Sequence, residues 1–150
     1  MSFLLRNAPQ VLLSAQEIIK NFKDLVNRSF HVNELDISYD QWMVINVISK
    51  KQGVSQIYIA EQTRKEPASV SRILKLLEKK GIIEKVAARG NLRAKRIYLT
   101  PKGDDVHRRA TRLFNMIAKD GFNGVHEQEI NLFVRILDKL QGNFTGEEPT

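Results

Sequence analysis

Residues 67–80 read PASVSRILKLLEKK, and their spacing sorts them into two faces. Val70, Ile73, Leu74 and Leu77 recur at i, i+3, i+4 and i+7, the repeat of a helix with one buried stripe. At about 100° per residue, Ala68, Arg72, Lys75 and Lys79 must point away from that stripe, with Ser69 and Ser71 on its flanks. Such a face offers hydroxyl, guanidinium and ammonium donors among small side chains, a set suited to phosphate oxygens and base edges. An α-helix fits the DNA major groove, small residues at its N-terminal end permit close approach, and Arg72 and Lys75 are long enough to reach acceptors there. A solvated amphipathic helix would look the same in isolation, so the surrounding elements decide.

A second basic cluster follows Gly81. Ile82–Val86 and Arg96–Leu99 read as two strands joined by a long basic tip, Ala87-Ala88-Arg89-Gly90-Asn91-Leu92-Arg93. An exposed tip with Arg89, Arg93, Lys95 and Arg96 would suit the narrow, electronegative minor groove, which attracts arginine. On the N-terminal side, Ser55 can cap a short helix carrying Ile57, Ile59 and Ala60, and Thr63-Arg64-Lys65 makes a tight turn into Glu66-Pro67. Two short helices, a tight turn and a helix with a cationic outer face form the bipartite unit that enters the major groove. The expected DNA contacts are therefore Ser55, Arg64, Ala68, Ser69, Ser71, Arg72 and Lys75, with Arg89, Asn91, Arg93 and Lys95 from the hairpin.

Charge is distributed accordingly. The 150 residues include 24 Lys+Arg and 17 Asp+Glu, a net of +7. Residues 50–103 hold fourteen of the basic side chains against Glu61, Glu66, Glu78 and Glu84, a local net of +10, so the flanks together are net −3. Concentrated positive charge favours a polyanionic partner through counterion release.

Other chemistries are thinly represented. With no cysteine, a disulfide framework, a thiolate metal site, a Cys nucleophile and a thiol switch are excluded. His126-Glu127-Gln128-Glu129 has Ile130 where a zinc protease needs its second histidine, and His31, His107 and His126 are scattered. Each reads as an ordinary histidine, so the expectation is no enzyme, no metal and no cofactor. Phe3-Leu4-Leu5 is cut short by Arg6, which leaves no membrane span or signal-peptide core, and a cytoplasmic location is expected.

The flanks must position the central unit. From about Pro9 to Phe30, Leu12, Ala15, Ile19, Phe22 and Val26 recur at helical spacing, and Val11, Ile18 and Leu25 add a second row. That stripe is wider than one neighbour covers, so a large core or a partner chain must bury it. Ser38-Tyr39-Asp40-Gln41 has the form of a capping box for a helix through Trp42, Ile45 and Ile48. Thr100-Pro101-Lys102-Gly103 opens another helix, with Val106, Leu113, Phe114 and Ile117, to about Asp120. After a break at Gly121–Gly124, a last helix carries Ile130, Phe133, Val134, Leu137 and Leu140, and the tail from Gly142 to Thr150 reads as unstructured. Phe22, Phe30, Tyr39 and Trp42 read as core residues.

Taken together, Ser38-x-x-Gln41-Trp42, Ile59-Ala60-Glu61, the run from Ser69 to Ile82 and Leu99-Thr100-Pro101-Lys102-Gly103 resemble the MarR family of bacterial and archaeal regulators. The resemblance spans residues 38–103 in motif and the whole chain in element order. It implies a winged helix-turn-helix, a homodimer built from the terminal helices and binding to a pseudo-palindromic operator. It also implies a small aromatic or anionic effector held between the dimer helices and the DNA-binding lobe. The wing departs from the family pattern, where Asp-x-Arg lets an acid orient the arginine; here stand Asn91, Leu92 and Arg93, so a charge-assisted pair is lost.

The expected architecture is mainly α with a small β wing, one domain over 1–150. It would contain a winged lobe at 38–100, dimerisation helices at 9–31 and 101–141, and a flexible tail at 142–150. The expected function is that of a homodimeric regulator, by default a repressor, specific for double-stranded DNA. Two rivals use the same lobe: a protein–protein adaptor for an acidic partner, and a binder of RNA or bulk chromosome through phosphates alone.

Overall fold

The computed structural model describes residues 3–146. Helix α1 runs Phe3–Val32, α2 Tyr39–Lys50, α3 Gln56–Thr63 and α4 Pro67–Lys79; strands β1 (Ile83–Ala88) and β2 (Asn91–Leu99) follow, then α5 (Pro101–Gly121) and α6 (Glu127–Thr145). The chain divides into two units at the Ile117/Ala118 boundary, inside α5.

In the first unit the winged lobe is built on a single core. Val44, Ile45 and Ile48 of α2, Ile59 of α3, Val70, Leu74 and Leu77 of α4 and Ile97 of β2 are essentially inaccessible to water, together with Val26 and Phe30 of α1. Gly103, Val106 and Ala110 of α5 are buried as well. Gly103 is required there: a Cβ at this position would overlap the carbonyl oxygen of Ile82. Thr100 completes the junction, its Oγ1 donating to the Gly81 carbonyl at 2.6 Å and accepting from the Gly103 amide at 3.1 Å.

Local capping follows the sequence. Ser38 Oγ accepts from the Gln41 amide at 3.2 Å while Gln41 Oε1 accepts from the Ser38 amide at 3.1 Å, the reciprocal box expected at the start of α2. The aromatic residues cluster over α1, α2 and α5: the Trp42 and Phe114 rings stack 4.1 Å apart and Phe22 meets Phe114 edge-on at 5.5 Å. Trp42 Nε1 donates to Thr111 Oγ1 at 3.1 Å. Phe30 is fully buried, so these aromatics are packing residues.

Several expectations are corrected. Helix α1 begins at Phe3, not near Pro9, and carries Pro9 in its interior at the cost of one backbone donor. Gly142 does not end α6; the helix continues to Thr145 and closes at Gly146, which takes the left-handed conformation (φ 72°) and donates its amide to the Gly142 carbonyl. Only the part of the expected tail after Gly146 lies outside the described residues. His126 stands at the cap of α6, its amide donating to Glu129 Oε2 at 2.8 Å. In the second unit α6 has no buried residue, and Leu132, Phe133, Val134, Ile136 and Leu137 are exposed. On α1 the rows through Val11, Ile18 and Leu25 and through Leu12 and Ile19 are exposed as well.

Candidate nucleic-acid interface

Helix α4 is oriented by its inner face. Val70, Leu74 and Leu77 sit in the core, which turns Ala68, Arg72, Lys75 and Lys79 outward and leaves Ser69 and Ser71 half-buried at the margins, as the spacing requires. Pro67 occupies the first helical position, where a missing amide removes no helical bond; Glu66 stands at the cap but its carboxylate makes no capping bond. Arg72 Nη2 lies 3.4 Å from Ser69 Oγ, a long contact that leans the guanidinium toward the N-terminal end of the helix.

The turn into α4 depends on Arg64. It takes the left-handed conformation (φ 52°) and closes α3 with its amide on the Ala60 and Glu61 carbonyls, leaving its exposed side chain free of that task. Lys65 is directed inward instead, to Asp40 at the start of α2, with Lys23 of α1 3.6 Å from the same carboxylate. Burial alone would push the Asp40 carboxyl up, but its hydrogen bond and charge contact with Lys65, with Lys23 added, hold it below the ordinary aspartate range. Ser55 caps α3 by accepting from the Tyr58 amide at 3.2 Å, so its O–H remains a donor for a phosphate. Lys51, which the sequence did not single out, lies 5.0 Å over the Tyr58 ring at this same end of α3.

In the hairpin the tip is shorter than expected. The strands extend to Ala88 and from Asn91, so Arg89 and Gly90 alone make the turn, with Gly90 at φ 76°. The register steps from Ala87↔Lys95 to Ala88↔Asn91, which leaves Leu92, Arg93 and Ala94 as a bulge on β2. Asn91 Oδ1 accepts from the Arg93 amide at 3.0 Å and the Ala94 amide at 3.3 Å. Asn91 therefore shapes the backbone that carries Arg93, a role that needs an acceptor and no charge. Arg96 is not a tip residue: it faces Val86 in the ladder and reaches the Gly53 carbonyl at 3.4 Å.

The wing is tied to the helical unit at its base. Glu78 of α4 pairs with Lys85 of β1 at 3.2 Å. Gly53 and Val54, between α2 and α3, exchange backbone bonds with Ile97 of β2, each at 2.9 Å, a tie invisible to strand periodicity because it spans two residues. Of the expected contacts, Arg64, Ala68, Arg72, Lys75, Arg89, Asn91, Arg93 and Lys95 are exposed, and Ser55, Ser69 and Ser71 are half-buried. Among the described residues no carboxylate pairs with Arg72, Lys75, Arg89, Arg93 or Lys95, whereas Lys65, Lys80 and Lys85 are paired. The outer face of α4 and the wing therefore carry positive charge that no described carboxylate pairs with.

A MarR-family model matches residues 35–94, from the loop before α2 to the wing bulge. The chain is similar over 91% of its length, at 25% identity and a TM-score of 0.81, to the transcriptional regulator SlyA, of which it covers 95%. The winged lobe of this chain, over residues 35–94, matches the MarR family. Two further likenesses bear on the fold: Streptococcus pneumoniae FabT solved in complex with DNA (24% identity, 93% of this chain and 98% of that one, TM-score 0.76) and a cysteine-to-serine mutant of E. coli MarR complexed with operator DNA (17% identity, 93% and 99%, TM-score 0.79). The six helices and two-stranded antiparallel wing are those of the MarR winged helix.

A cavity of about 570 Å³ in this MarR-family lobe is lined by Asn27 and His31 of α1, the 34–37 loop, Ser38, Gln41 and Lys80. Lys80 is already engaged there, its Nζ 3.2 Å from Asp36 Oδ1. No described helix is long and apolar enough to cross a membrane, and no described group of His, Asp and Glu is arranged to hold a metal ion.

Proposed function

We propose that this protein is a homodimeric transcription regulator of the MarR family that binds double-stranded DNA sequence-specifically, with α4 in the major groove and the wing in the minor groove. The observation that carries the reading is the cationic outer face of α4, mounted on a fully buried inner face and tied to a wing that presents Arg93. Arg72 and Lys75 are the base-reading candidates, with Ala68, Ser69 and Ser71 allowing close approach. Ser55, Arg64, Arg89 and Lys95 supply donors for phosphates.

The exposed apolar rows of α1 and α6 support dimerisation, since isolated helices in water do not leave such rows bare. Two recognition helices on a two-fold axis call for an inverted repeat with half-sites about one turn apart. Repression follows from a dimer occupying a promoter. The cavity lined by His31 and Lys80 is the candidate effector site: a small aromatic or anionic molecule that competes with Asp36 for Lys80 would shift the end of α4 and with it the helix separation. Selection of bound duplexes from a random pool tests the function. Enrichment of an inverted repeat that outcompetes random duplex and RNA is expected; equal binding to all three would make this a bulk nucleic-acid binder, and binding to none would leave an adaptor.

A further inference from the structure

Leu92 is 82% exposed at the end of the wing, in a bulge flanked by Arg89, Arg93 and Lys95. Single exposed leucines are common and ask for no explanation. This one differs in how it is held. A two-residue turn would have continued the ladder past Asn91, but the Asn91 carboxamide takes the amides of Arg93 and Ala94 and makes the backbone between them project. Nothing among the described residues covers the leucine, and its basic neighbours favour a polyanion as what does.

We infer that Leu92 is a minor-groove contact of the wing, packing its isobutyl group against the sugar edges and base floor while Arg93 takes the electronegative groove, and that Asn91 is the positioning residue for both. This role of Leu92 rests on the DNA-binding reading above. A neutral residue suffices at 91 because the bulge needs only an acceptor aimed at two amides, and an apolar contact at 92 is made without releasing counterions.

The test is equilibrium binding of the full-length protein to the duplex selected from the random pool, over a series of salt concentrations. Leu92→Ala should weaken binding about tenfold with an unchanged salt slope, because no charge is lost. Asn91→Ala should weaken it at least as much, Asn91→Asp should restore it by returning the acceptor, and adding Leu92→Ala to Asn91→Ala should cost little more. All these positions are exposed, so the unfolding transition should not move. Leu92→Ala binding within about twofold of the parent, while Arg93→Ala still weakens binding, would overturn the role of Leu92 and leave the regulator reading intact. A parent protein that enriches no duplex would overturn both.

Discussion

Arg72 stands on a helix whose inner face, Val70, Leu74 and Leu77, is fully buried, whereas Arg93 stands on a strand bulge tied by the Asn91 carboxamide. The two regions share a charge chemistry and differ in what holds it. A packed helix face transmits orientation from the core, so the backbone that carries Arg72 is as fixed as the lobe. A bulge held by two side-chain-to-backbone bonds is cheap to form and cheap to alter. Binding through α4 should therefore fail only when the fold or the contacting residue fails, and binding through the wing should respond to small local changes.

The largest effect expected is on the support of α4. Leu74→Ala should lower unfolding free energy by about 2–5 kcal/mol, read from denaturant melts, and weaken DNA binding in step. Gly103→Ala forces a side chain onto the Ile82 carbonyl and should destabilise by about 1–3 kcal/mol or more. Next comes Arg72→Ala, which should cost roughly 1–3 kcal/mol on specific duplex and little on random DNA, with the melt unmoved; equal losses on both would make it a phosphate contact. Arg93→Ala should make the salt dependence shallower by about one unit per subunit, and an unchanged slope would break the comparison by removing the wing from the interface.

The smallest effect concerns His107 on α5. Burial, opposed by Asp104 and helped by Lys50, holds its imidazole below the ordinary histidine range, between Ser49 Oγ at 3.3 Å and Asn46 Oδ1 at 3.1 Å. The unfolded chain then takes up a proton more readily than the folded one. Stability from this group is present above the ordinary histidine pKa and falls as pH drops from there toward the folded value. Urea midpoints of the parent should fall across that window, and those of His107→Gln should fall less.

Helix α4 was legible because one period explains both of its faces: the four apolar residues set the core side and so the outer side. Likewise the capping box at Ser38 and Gln41 and the Leu99-to-Gly103 segment carry their geometry in residue type. The wing bulge was not legible, because Asn91 uses its side chain in place of strand partners and alternation is lost where the ladder is interrupted. Pro9 and Gly142 misled for a related reason. Each is a helix breaker by local propensity, yet α1 and α6 extend past them, which shows how a propensity of a few kcal/mol is overridden within a long helix. Arg96, counted with the tip by its charge, is withdrawn by the Gly53 carbonyl, a contact far away in sequence.

Methylation interference on the selected duplex tests the two-groove docking of α4 and the wing most directly, because guanine N7 lies in the major groove and adenine N3 in the minor groove. Each half-site should show N7 interference where α4 docks and N3 interference in the adjoining minor groove, the latter lost with Arg93→Ala and the former with Arg72→Ala. Interference at neither position on a duplex that is nevertheless bound would mean that the lobe grips phosphates alone, and would contradict docking in both grooves.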